Sequence, residues 1–109
     1  MIEKPKLSFS HNWNNKLECD IYTTFRGFKE DRYQYRVSNT GKIHDVFLKR
    51  KHHHQATLRY VTHFEQLAQV DVTLLRLDTG LVEFRDIVEL FRRFGIEPED
   101  PVMMLVMIK

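Results

Sequence analysis

A single cysteine, Cys19, stands in this chain of 109 residues. It excludes an intrachain disulfide and gives no zinc cluster. A reducing compartment fits that usage. Long apolar runs are missing as well. No segment approaches the roughly 20 apolar residues of a membrane span. The N-terminal stretch MIEKPKLSFS has no apolar run of signal-peptide length. There is no internal repeat and no low-complexity linker. These absences lead to the expectation of a soluble, cytoplasmic, single domain over residues 1–109, without a cofactor.

What is present is globular in composition, 42% apolar and 29% charged. The net charge of +2 conceals an asymmetry. Residues 1–54 hold 11 Lys/Arg against 6 Asp/Glu, and residues 55–109 hold 6 against 9. A basic half facing a polyanion is one reading. The other is a mixed surface on which the asymmetry disappears.

Periodicity supplies the elements. Leu7-Ser8-Phe9 reads as a short strand. Ser10 is placed to cap a helix over roughly 11–18, with Trp13 and Leu17 on one face. Ile21 to Arg26 reads as a second strand. Tyr33, Tyr35 and Val37 alternate with Gln34 and Arg36, which predicts a half-buried strand, and Asn39-Thr40-Gly41 a turn. Val46-Phe47-Leu48 is the core of a strand running out into Lys49-Arg50-Lys51-His52-His53-His54. Leu58, Tyr60, Thr62 and Phe64 alternate again. Asp71 to Leu77 suits either a strand or a short helix capped by Asp71. Phe84, Ile87, Val88 and Phe91 form a helical stripe. Glu83, Asp86 and Glu89 favour its start, Arg92-Arg93 its end, and Gly95 its termination. Val102 to Ile108 is a buried strand. Several short strands in a small chain favour a closed or nearly closed barrel, because closure removes exposed edges. The expected fold class is α+β, a small mixed β-barrel with two or three covering helices.

The stretch Tyr22-Thr23-Thr24-Phe25-Arg26 raises the functional question. Thr24 and Arg26 share one strand face, and Thr23 takes the other with Phe25. An arginine fork beside a hydroxyl suits a phosphate or a base edge. The competing reading pairs Arg26 with a structural carboxylate such as Asp78. Lys49, Arg50 and Lys51 suit phosphates, and His52 and its neighbours could stack on bases or gain charge at lower pH. The bland reading is a solvated loop. Three consecutive histidines on a strand alternate faces and make no metal site. Tyr22, with Trp13, Phe28, Tyr33 and Tyr35, offers aromatic faces near cations, a combination found in single-strand binders. Packing is the alternative for these rings. Methionines 103, 104 and 107 read as packing, and Cys19 has no partner that would make it a nucleophile.

The order of these elements resembles the ASCH domains of the PUA-like superfamily. The resemblance rests on YTTFR after a short helix and on Asp78-Thr79-Gly80. A helix over 83–94 and a final apolar strand complete it. It implies a small mixed barrel whose ends are covered by helices, with a cleft beside the threonine–arginine strand. It implies RNA or a nucleotide-like ligand as partner. Thr24 and Arg26 match the family's second threonine and its arginine. Some small members resemble amidohydrolases acting on a modified cytidine, with a lysine five residues before the arginine. Here that position is Ile21, which supplies no charge, and the enzymes' carboxylate has no clear counterpart. No catalytic residue is therefore expected. The expectation is binding through Tyr22, Thr24, Arg26, Lys49, Arg50, Lys51 and His52. The alternatives are an amidohydrolase and a protein-interaction or inhibitor module with a protein partner.

Overall fold

A computed structural model describes residues 4–109; the first three residues of the stretch weighed above as a signal lie outside it. Five strands form one mixed sheet: β1 (Lys6–Phe9), β2 (Ile21–Gly27), β3 (Ile43–Leu48), β4 (Lys51–Phe64) and β5 (Val102–Ile108). Their spatial order is β1-β3-β4-β5-β2. Only β1 and β3 run parallel. Three α-helices accompany the sheet: α1 (Glu30–Ser38), α2 (Val72–Thr79) and α3 (Phe84–Arg93). The fold class is α+β as expected.

The sheet is open, with β1 and β2 as its edges. It is nevertheless curled. Leu7 and Phe9 of β1, Tyr22 of β2, Val46 of β3, Leu58 of β4 and Leu105 of β5 enter one buried cluster. One face of all five strands thus wraps a common core, and the Phe9 and Tyr22 rings of the two edges meet edge-on at 6.3 Å. Two register shifts, at Val46/Phe47 and at Leu58/Tyr60, bend the long central hairpin. The outer face of β2 and β5 is covered by α2 and α3. There Phe25, Leu75, Ile87, Phe91, Val102 and Met104 form a second cluster. β5 is therefore apolar on both faces, which explains its unbroken run.

One expected strand is a helix. Residues 33–37 lie in α1. Their alternation is not a pleat, since Tyr35 and Val37 are exposed. Glu30 and Asp31 favour the first turn, and Gln34 donates to Glu30 one turn back. At the other end Ser38, Asn39 and Thr40 side chains donate to the carbonyls of Gln34, Tyr35 and Arg36. The polar run that reads as a turn is thus a helix terminator. The first expected helix is a shorter 3-10 turn over Trp13–Glu18, broken where Asn14 and Asn15 take left-handed conformations. The ambiguous segment is α2, with Asp71 accepting from the Thr73 amide at 2.8 Å. The basic run divides. Lys49 and Arg50 form a two-residue turn, both with positive φ, and Lys51 with the three histidines opens β4.

Among the described residues no helix is long and apolar enough to cross a membrane.

Candidate functional site

The gap between the two sheet edges is where the threonine–arginine face points. Arg26 reaches across it. Its Nη2 donates to the Ser8 carbonyl of β1 at 2.8 Å, and its Nε to Thr24 Oγ1 at 3.2 Å. Its guanidinium lies 4.8 Å above the Phe9 ring. Of its five N–H groups, three have no protein acceptor among the described residues. Arg26 makes no ion pair there either. Burial, and next the nearby Arg36, lower its pKa to about 10. Thr24 is buried beside it.

A cavity of about 570 Å³ opens here, with Thr24, Arg26, Lys16 and Asp78 among its walls and Phe9, Trp13, Phe28 and Phe94 supplying rings. A second cavity, of about 510 Å³, shares Arg26, Gly27 and Arg32 with it and continues to Tyr35 and Arg36 on α1.

The expected alternative for Arg26, a pair with Asp78, is not what forms. Asp78 Oδ1 instead accepts from Lys16 Nζ and from Thr23 Oγ1, each at 2.9 Å. Lys16 and Asp78 are both buried. Burial lowers the Lys16 pKa, and Asp78 only partly restores it; burial likewise raises that of Asp78, against the pull of Lys16 and Thr23. A local fit positions this pair. Asn14 and Asn15 have φ of 56° and 52°, which turns the chain so that Lys16 enters the interior. Asparagine tolerates that conformation better than most residues. Asn14 Nδ2 donates to the Leu77 carbonyl at 2.8 Å. Gly80, with φ of 77°, lies against it; a Cβ there would come within 3.1 Å of Asn14. The Asp78-Thr79-Gly80 turn and the Asn14-Asn15-Lys16 turn are thus complementary.

Of the other expected site residues, Tyr22 lies in the core with its hydroxyl 2.7 Å from His54 Nε2. Lys49, Arg50, Lys51 and His52 are exposed at and beyond the β3–β4 turn and line neither cavity. His52 Nε2 lies 3.1 Å from Asp45 Oδ1. The adjacent histidines belong to a chain of contacts running inward, Glu18 to His53 to His54 to Tyr22. Among the described residues no group of three His, Cys, Asp or Glu side chains is placed to hold a metal.

Sequence reasoning missed Lys16, Arg32 and Arg36. The signal for Lys16 was the pair of asparagines before it, a helix break where poor helix propensity is the first reading. The signal for the arginines was their spacing of four, hidden by the apparent strand.

No family model, curated protein or solved structure matches this chain.

Proposed function

We propose that the chain binds a nucleotide-like ligand, free or within RNA, in the cavity beside Thr24 and Arg26. The observation that carries this reading is the state of Arg26. It is held by two hydrogen bonds and a ring, and among the described residues it has no carboxylate partner and keeps three N–H groups unpaired at a cavity wall. An arginine so placed is suited to recognise an acceptor-rich ligand in fork geometry. Aromatic walls suit a base, and the volume falls in the ordinary range for a small ligand. Assignment to the ASCH domains, and to a PUA-like barrel, belongs to the same proposal. It is supported by the order of elements and by the curl that brings the β1 and β2 edges together. Lys49, Arg50, Lys51 and His52 stand outside the cavity, and their part is contact with flanking RNA phosphates.

Titration with nucleosides and a short RNA, followed by heteronuclear NMR, tests the reading. Arg26→Ala should weaken binding by about tenfold or more, the worth of a hydrogen bond to a charged group, with Arg26→Lys recovering only part. Equal affinity of wild type and Arg26→Ala, both folded, would remove the residue from the site.

A second reading has its own observation. Ile21 supplies no lysine, but Lys16 brings one to the threonine strand, beside the Asp78 carboxylate. Hydrolysis of an acylated nucleoside would use that group. Turnover of an acylcytidine that disappears in Lys16→Met while circular dichroism shows the variant still folded supports it; absence of turnover in the wild type leaves binding alone.

A further inference from the structure

We propose that the second cavity, on the α1 side of Arg26, is a phosphate subsite for the same ligand, so that the ligand is a phosphorylated nucleotide unit rather than a nucleoside. This rests on the nucleotide reading above and adds a charge requirement to it.

Three guanidinium side chains line the cavity: Arg26 from β2, and Arg32 and Arg36 from α1. Spacing of four puts the two helical arginines on one face. Arg36 is fixed in place. Its Nη1 donates to the Lys6 carbonyl at 3.1 Å and its guanidinium lies 5.4 Å above the Tyr35 ring. Arg32 is exposed and donates to no protein acceptor among the described residues. Asp31 also lines the cavity, yet it forms no ion pair with any of the three. Among the described residues the cavity wall thus carries three guanidinium groups against the single carboxylate of Asp31, a net positive charge, with Asp78 acting on Arg26 from the first cavity. Burial disfavours the charged form of Arg26, and the nearby Arg36 disfavours it further. An anion between them would offset the repulsion and favour the charged form of both.

Phosphate fits this arrangement better than a carboxylate. A carboxylate satisfies one fork with its two oxygens. A phosphate presents three or four acceptor oxygens and can engage several guanidinium groups together. The shared wall decides the continuity. Because Arg26 and Gly27 border both cavities, a base among the rings of the first would place its sugar phosphate near Arg26 and Arg32. The hairpin cations at 49–51 border neither cavity, and Lys16 and Lys29 line the first cavity alone, so in the second cavity the cations are Arg26 and the two arginines of α1.

The test compares each of the four nucleosides with its 5′-monophosphate by calorimetry at low salt, on the whole chain. The monophosphate should bind about tenfold tighter, as expected for added charge-assisted bonds. That ratio should fall toward one in Arg32→Gln and in Arg36→Gln. Arg85→Gln, an exposed change on α3 outside both cavities, should leave the ratio as in wild type. Should Arg36→Gln fail to fold through loss of its bond to Lys6, Arg32→Gln carries the test. A single strand without terminal phosphates supplies the other arm. An arginine-dependent gain with the strand supports the subsite with RNA as the phosphate source, and a gain confined to monophosphates supports it with a free nucleotide. Nucleoside binding with no gain from phosphate overturns the subsite alone, as does a gain that both arginine variants retain. No binding of any nucleoside, monophosphate or single strand overturns the nucleotide reading and the subsite with it.

Discussion

Lys16 and Asp78 show how a charged pair is held inside a protein this small. Each charge is disfavoured by burial and is tolerated because the other lies 2.9 Å away. Thr23 adds a further donor to the carboxylate. Removing one partner leaves the other stranded, which costs far more than the pair is worth. Lys16→Met should therefore destabilise the protein by about 3–5 kcal/mol at neutral pH, read by urea unfolding. Adding Asp78→Asn should recover much of the loss. The cost of the single change should shrink as pH falls, because an unpaired buried carboxylate takes up a proton and becomes neutral. A loss below about 1 kcal/mol, within the range of exposed pairs, would show that the pair is not desolvated.

Among the elements, the β3–β4 hairpin departs most from what its turn demands. A two-residue turn with positive φ at both positions favours Asn-Gly. Here it is built from Lys49 and Arg50, at φ of 50° and 68°. Side chains with a Cβ are strained in that region, and such strain is more often kept where it serves a function. Lys49→Asn with Arg50→Gly should raise stability by roughly 1 kcal/mol. If the two cations touch RNA phosphates, the same variant should bind a single strand with a flatter salt dependence, by about 1.4 in the log–log slope for two contacts. A more stable variant with an unchanged slope assigns the hairpin no part in RNA contact. The α1 helix illustrates a different balance. Its apolar residues are few and none is fully buried; Tyr33 alone is packed against the core cluster, and the acidic first turn and side-chain terminators add to that contact.

At the scale of the whole molecule, stability should depend on pH through histidines held neutral. Burial first, and then the charges of Lys109, His53 and His52 against the opposing pull of Glu18, lower the His54 pKa to about 4. Burial also lowers that of His44, whose Nδ1 lies 3.0 Å from the Lys42 carbonyl, and its Nε2 finds no partner among the described residues. The unfolded chain binds protons at these positions near pH 6.5, and the folded chain does not. Stability from this source is therefore complete above about pH 6.5. It falls as pH drops below that value, and the loss from His54 levels off near pH 4, where the folded state titrates too. Thermal unfolding at pH 7.5, 6 and 5 should show a falling Tm, with a shallower fall in His54→Gln. Parallel curves for the two proteins would mean that His54 titrates in the fold as it does outside it.

Much of this was legible along the chain because it depends on local chemistry. The run Val102 to Ile108 could only be a buried strand, the stripe of 84–91 only an amphipathic helix, and two adjacent threonines had to face opposite ways. Thr24 and Arg26 could be set on one face by counting alone, and they do line one cavity. The strand expected at 33–37 failed because alternation tests a pattern of side chains, not the environment that would reward it. Here no sheet partner waited for Tyr33, Tyr35 and Val37, and a helix satisfied the backbone instead. Closure failed to follow from strand count for a related reason. Whether two edges pair depends on sheet curvature, which two register shifts and one reaching arginine set between residues far apart in sequence. The counter-charge of Asp78 was decided the same way. Sequence reasoning offered Arg26 as the partner of the carboxylate and missed Lys16, because only the complementary turns at Asn14-Asn15 and Gly80, 65 residues apart along the chain, bring the lysine to Asp78 in place of the arginine.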